Sequence, residues 1–117
     1  MGLFSNMNKN IASGSGVSYL EISTSKDGAE YTFLLEGRLD TVTSPNLEAK
    51  INEVIDDAKK LILDFAKLEF ISSAGLRVLL GALQAMEDKG EMVIRNLTQS
   101  VREVFDLTGF SNLFNIE

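Results

Sequence analysis

The sequence predicts an α/β domain: a mixed sheet of four to five strands packed with about three main helices, in the order β-β-α-β-α-β-α-β. Three observations carry this. Two β-rich runs flank the turn pair Asp27-Gly28, so the chain opens with a hairpin. From there, strands alternate with single helices, which demands right-handed crossovers and parallel pairing. The run "LILDF", Leu61 to Phe65, is apolar almost throughout, as in a strand covered on both faces.

Residues 1 to 16, "MGLFSNMNKNIASGSG", are polar, Gly/Ser-rich and without a sustained period, and are expected to form a flexible leader that stays unfolded. The domain proper runs from 17 to 117. "VSYLEIS", Val17 to Ser23, is the first strand and "YTFLLEG", Tyr31 to Gly37, the second, joined by a connection longer than the two-residue ideal. Ser44-Pro45 has the form of an N-cap followed by proline in the first turn. The helix after it puts Leu47, Ile51, Val54, Ile55 and Ala58 on one face and Glu48, Asn52, Glu53, Asp56 and Lys59 on the other. After "LILDF", a second helix starts at Ser72 or Ser73 and stops near Lys89-Gly90. Its apolar stripe is Leu76, Leu79, Leu80, Leu83 and Met86; Ser73, Arg77, Gly81, Gln84 and Asp88 form the opposite, solvent-facing row. "EMVIRN" is the next strand. Thr98 caps a third helix through Val101, Val104, Phe105 and Thr108, Gly109 stops it, and "LFNIE" closes the chain as a short strand.

Composition excludes whole mechanisms. The chain has no Cys and no His, so there is no disulfide, thiol nucleophile, thiolate zinc site or imidazole base, and a Ser-His-Asp hydrolase cannot be assembled. A net charge of -6 over 117 residues repels phosphate backbones, which argues against a nucleic-acid partner. Apolar runs are far shorter than the roughly 20 residues of a membrane span, and no signal pattern opens the sequence; the expectation is a cytoplasmic protein with no membrane insertion. Asp40, Asp64 and Glu69 fall on different elements without liganding spacing, and there is no GxxxxGK, so neither a metal nor a bound cofactor is expected.

Ser72 and Ser73 remain. A serine at a helix start caps a free N–H, worth about 1 kcal/mol. The same helix start presents unpaired amides and a partial positive charge, which stabilise a phosphate placed there. Both readings hold together, with Ala74 and Gly75 keeping the approach to the hydroxyls small. Arg77, one turn on, is a solvated helix charge, and also a candidate partner contact or phosphate counter-charge.

Three segments, "LEGRLDTVTSPNLEAKI", "LILDFAKLEFISSAGLRVLLGAL" and "VREVFDLTGFSNLF", together resemble the STAS domains of bacterial anti-sigma factor antagonists, over Val17 to the end. In that family the hairpin strand ends in a G-x-L-D turn, here Gly37 to Asp40, and the phosphorylated serine opens the helix after the next strand, typically in D-S-S-G. The match puts Ser73 at the phosphorylated position, with Ser72 as second choice; Ser72 stands where the family often has Asp, and Ala74 where it often has Ser. The resemblance implies a partner surface around Asp40, Ser72, Ala74, Gly75, Arg77, Gly81 and Gln84. It implies a non-enzymatic switch: the unphosphorylated chain binds an anti-sigma factor that is also a serine kinase, releasing a sigma factor. ATP and magnesium then belong to the kinase, and a separate serine phosphatase resets the switch. The alternative is a STAS scaffold subunit of a stress-signalling or transporter-associated complex, without the phosphorylation switch. A phospho-accepting receiver domain, suggested by Asp64 at the end of "LILD", lacks the acidic pair it needs at the end of the first strand.

Overall fold

The structure is a computed structural model and describes residues 19–117. The predicted leader and the first two residues of the predicted first strand lie outside the described residues. The elements are β1 (Leu20–Asp27), β2 (Glu30–Leu39), α1 (Ser44–Val54), β3 (Lys60–Ile71), α2 (Ser73–Met86), β4 (Glu91–Arg95), α3 (Gln99–Thr108), a single 3-10 turn at Phe110–Asn112, and β5 (Asn115–Ile116). The sheet order is β1-β2-β3-β4-β5, antiparallel between β1 and β2 and parallel thereafter. The predicted mixed sheet and element order are the observed ones.

Because successive parallel strands are added in one direction by right-handed crossovers, each helix returns over the same face of the sheet. The core forms there. Phe33 of β2, Leu63 of β3 and Ile94 of β4 lie in one cross-strand row, and Leu47, Leu79 and Phe105 from the three helices pack into the same cluster. Phe105 is the hub of the C-terminal end, with its ring 6.4 Å from Phe65, 6.4 Å from Phe110 and 5.9 Å from Phe114.

Several boundaries differ from the sequence expectation. β1 continues to Asp27, and Asp27 pairs with Glu30, so the hairpin loop is only Gly28-Ala29, with Gly28 at φ 63. Residues Ser23 to Asp27 are exposed on an edge strand, and an exposed edge carries no apolar alternation to reveal it. β3 runs on past Phe65 to Ile71. Its register with β2 shifts twice: Leu34 to Glu36 faces Asp64 to Lys67, and Gly37 to Arg38 faces Leu68 to Phe70, so β3 carries an extra residue at each step. These bulges make every third side chain, Phe65, Leu68 and Ile71, point into the core and erase the two-residue period by which strands are recognised. The N-cap position of α1 is Thr43, not Ser44, and its side chain makes no cap hydrogen bond; α2 ends at Met86 instead of Lys89-Gly90. Leu80 and Leu83 of the predicted stripe are half-buried, whereas Gly75 and Ala82 lie inside.

Candidate functional site

Leu39 and Ile71 end β2 and β3 as a register pair, so the segments that follow them emerge side by side at the C-terminal edge of the parallel strands, where open α/β sheets place their sites. The Ser72 N–H donates to the Leu39 carbonyl at 2.9 Å, joining the two. Ser72 is extended, with φ -101 and ψ 175, and is the N-cap of α2: its Oγ accepts the Gly75 N–H at 3.4 Å and its carbonyl accepts the Leu76 N–H at 3.0 Å. Ser73 is the first helical residue and is exposed; among the described residues its hydroxyl has no hydrogen-bond partner. Ser72 thus serves the cap, and Ser73 opens the exposed row, as helical spacing predicts.

Gly75 is buried. A Cβ there would stand 2.8 Å from Leu39 Cγ and 2.9 Å from Ile71 Cγ1, so the glycine lets α2 seat against the ends of β2 and β3. Ala74 is half-buried, and Arg77, Gly81 and Gln84 are exposed on the row that begins at Ser73.

Asp40 holds the β2–α1 loop in shape. Its Oδ1 accepts the N–H groups of Val42 at 3.0 Å and Thr43 at 3.1 Å, and its Oδ2 lies 3.7 Å from Arg38 Nε. Thr43 Oγ1 accepts the Asp40 N–H and donates to the Arg38 carbonyl, and the buried Ser44 hydroxyl donates to the Asp40 carbonyl. The Asp40 side chain is 15% exposed, so it acts as the loop's organiser more than as its outer surface. The Arg38 guanidinium lies over the Phe70 ring at 4.2 Å. At the same end of β1, the Tyr19 phenol donates to Glu21 at 3.1 Å, and that bond raises its pKa above the ordinary 10.0.

Between this loop and α2 runs a groove of roughly 270 Å³, with Thr41, Ser44, Pro45 and Glu48 on one side and Ala74, Arg77 and Val78 on the other. Sequence reasoning missed the first wall. Its only sequence signal is Val42, an apolar residue in the same loop, which proves 69% exposed. Asp64 lies mid-strand in β3, seven residues before its end, and accepts from Asn96 and the Ala66 N–H; it is no strand-end phosphate acceptor. Among the described residues no cluster of acidic side chains could hold a metal, and no helix is long and apolar enough to cross a membrane.

A sequence profile for the STAS domain matches residues 21–117. This chain belongs to the STAS domain family. Its relatives include BtrV of Bordetella bronchiseptica, a proposed anti-sigma factor antagonist, 39% identical over 84 residues that cover 70% of this chain and 72% of BtrV. The anti-sigma F factor antagonist of Paenibacillus polymyxa is 29% identical over 70% of this chain and 73% of its own length. Among solved structures, unphosphorylated SpoIIAA superposes with a TM-score of 0.73 at 25% identity, covering 83% of this STAS chain and 88% of SpoIIAA. An anti-sigma factor antagonist from Mycobacterium paratuberculosis shares the fold at a TM-score of 0.77 and 23% identity, covering 86% and 89%.

Proposed function

We propose that this STAS domain is a cytoplasmic anti-sigma factor antagonist, without catalytic activity of its own, that phosphorylation of Ser73 switches off. In the unphosphorylated state it binds a kinase-type anti-sigma factor through the Ser73 pole and so releases a sigma factor. The partner brings ATP, and a serine phosphatase restores the hydroxyl. The observation that carries this is the division of labour at α2: Ser72 is committed to the cap, leaving the neighbouring Ser73 hydroxyl exposed and without a partner among the described residues. Thr41 and Glu48 face Ala74 and Arg77 across the adjoining groove, and Arg77, Gly81 and Gln84 continue the exposed row along the helix.

A phosphoserine adds about -1.5 to -2 charges, and at a helix start it gains about 0.3 to 1 kcal/mol from the dipole and free amides. The modification therefore favours the folded domain, and the switch acts at the interface. There, a new dianion facing partner carboxylates needs to cost only about 1.4 kcal/mol to lower affinity tenfold.

The test uses Ser73→Ala chain as bait to capture the kinase from the native host, then incubates wild-type chain with that kinase and ATP. Trypsin cleavage after Lys67 and Arg77 isolates Leu68 to Arg77, and fragmentation of that peptide separates the two serines. Phosphate on Ser73 is expected, together with tight binding of Ser73→Ala and weak binding of Ser73→Asp. Label on Ser72, or equal affinity of the two variants, contradicts the proposal.

A further inference from the structure

Ser73 and Arg77 lie four residues apart on the exposed row of α2, a spacing that makes their side chains neighbours on the helix surface. A long helical side chain leans toward the N-terminus and covers the turn before its own Cα. That lean carries the Arg77 guanidinium toward Ser73. Nothing among the described residues holds it elsewhere: Arg38 and Arg95 are ion-paired, whereas the Arg77 side chain has neither an ion pair nor a hydrogen bond there. The positions three and four residues to either side of it are Ser73, Ala74, Leu80 and Gly81, so its own helix offers no neighbouring carboxylate. Glu48, the other charged residue lining the groove, faces it from α1 without pairing. Two amides complete the setting. The Gly75 N–H goes to Ser72 Oγ and the Leu76 N–H to the Ser72 carbonyl, which leaves the N–H groups of Ser73 and Ala74 without an acceptor among the described residues.

We propose that Arg77 is exchanged between two anions: the unphosphorylated chain offers it to a carboxylate of the partner, and a phosphate on Ser73 takes the guanidinium over. The exchange rests on the Ser73 switch proposed above and names the residue through which that switch is read. Anion at i and cation at i+4 is the favourable order along a helix. A phosphoserine carries about -1.5 to -2 charges, against a single charge on a carboxylate, and a guanidinium binds phosphate through two parallel N–H bonds. The phosphate also stands on the helix that carries Arg77, so their contact forms without the entropic cost of association. Phosphorylation then acts twice at one place. It withdraws the cation on which the partner's carboxylate docks, and it meets that carboxylate with a dianion.

Phosphoserine incorporated at position 73 during translation gives the modified full-length chain without any kinase, so the phosphate contact is read separately from the partner. In phosphorus NMR titrations the second pKa of that phosphate, ordinarily about 6, should lie about 0.3 lower in the chain carrying Arg77 than in Arg77→Gln, with Arg77→Lys in between. Equal values in the wild-type and Arg77→Gln backgrounds overturn the proposal. Against the kinase captured with the Ser73→Ala bait, unphosphorylated Arg77→Gln should bind about tenfold more weakly than wild type. Phosphate on Ser73 should then lower the affinity of Arg77→Gln by a smaller factor than it lowers that of wild type. Unchanged affinity of unphosphorylated Arg77→Gln overturns the exchange while leaving the Ser73 switch standing. No loss of wild-type affinity on phosphorylation overturns the switch and the exchange with it.

Discussion

Ser72 and Ser73 are chemically identical and one position apart, and the difference between them is which oxygen already has a partner. Ser72 Oγ accepts the Gly75 N–H, so Ser72→Ala should cost about 1 kcal/mol, a fall of about 4 to 8 °C in Tm for a domain of this size. Ser73→Ala should stay within about 0.5 kcal/mol of wild type, as exposed substitutions usually do. Thermal melts of the two variants check this, and equal destabilisation would contradict the assignment of the cap. The sequence showed that one serine faces solvent, because helical spacing places Ser73 in a row with Arg77, Gly81 and Gln84. Gly75 shows what a glycine leaves unread: a small residue that leaves room for a partner and one that lets its own helix reach Leu39 and Ile71 look alike until the contact is seen.

At the scale of elements, legibility followed solvent exposure and regularity. α2 and β4 were readable from their period or apolar run, whereas the second half of β3 was hidden by two bulges that turn its inward period from two to three. The G-x-L-D turn was recognisable only by family resemblance, since its logic is long-range. Gly37 has φ 114, and a Cβ there would collide with the carbonyl and ring of Tyr19, eighteen residues earlier. Asp40 then ties the following loop through Val42 and Thr43. Gly37→Ala is accordingly expected to lose more than about 2 kcal/mol from strain and overlap together. Gly81→Ala, with nothing within 4 Å of the added carbon, should gain about 0.5 to 1 kcal/mol from helix propensity. Urea unfolding of both variants tests the pair, and the opposite signs are the diagnostic feature.

On the scale of the whole molecule, the order of elements was legible because a one-directional run of right-handed crossovers leaves few alternatives. What the sequence could not supply was the meeting of β2–α1 and β3–α2 at one pole, since the wall of Thr41, Pro45 and Glu48 comes from a segment about thirty residues away from Ser73. That geometry makes a global prediction about the switch. Ser73 is exposed, so a phosphate on it has no buried packing to disturb. Phosphorylation should therefore leave the Tm unchanged or raise it by a few degrees, in line with the 0.3 to 1 kcal/mol of helix-terminus stabilisation. Amide shifts should move around Asp40 to Ser44 and Ser72 to Arg77, and not around Phe105. Added salt should shrink the Tm gain by screening it. A Tm fall of several degrees on phosphorylation, or shifts spread through the Phe105 cluster, would mean that the modification acts by loosening the domain and not by changing its surface.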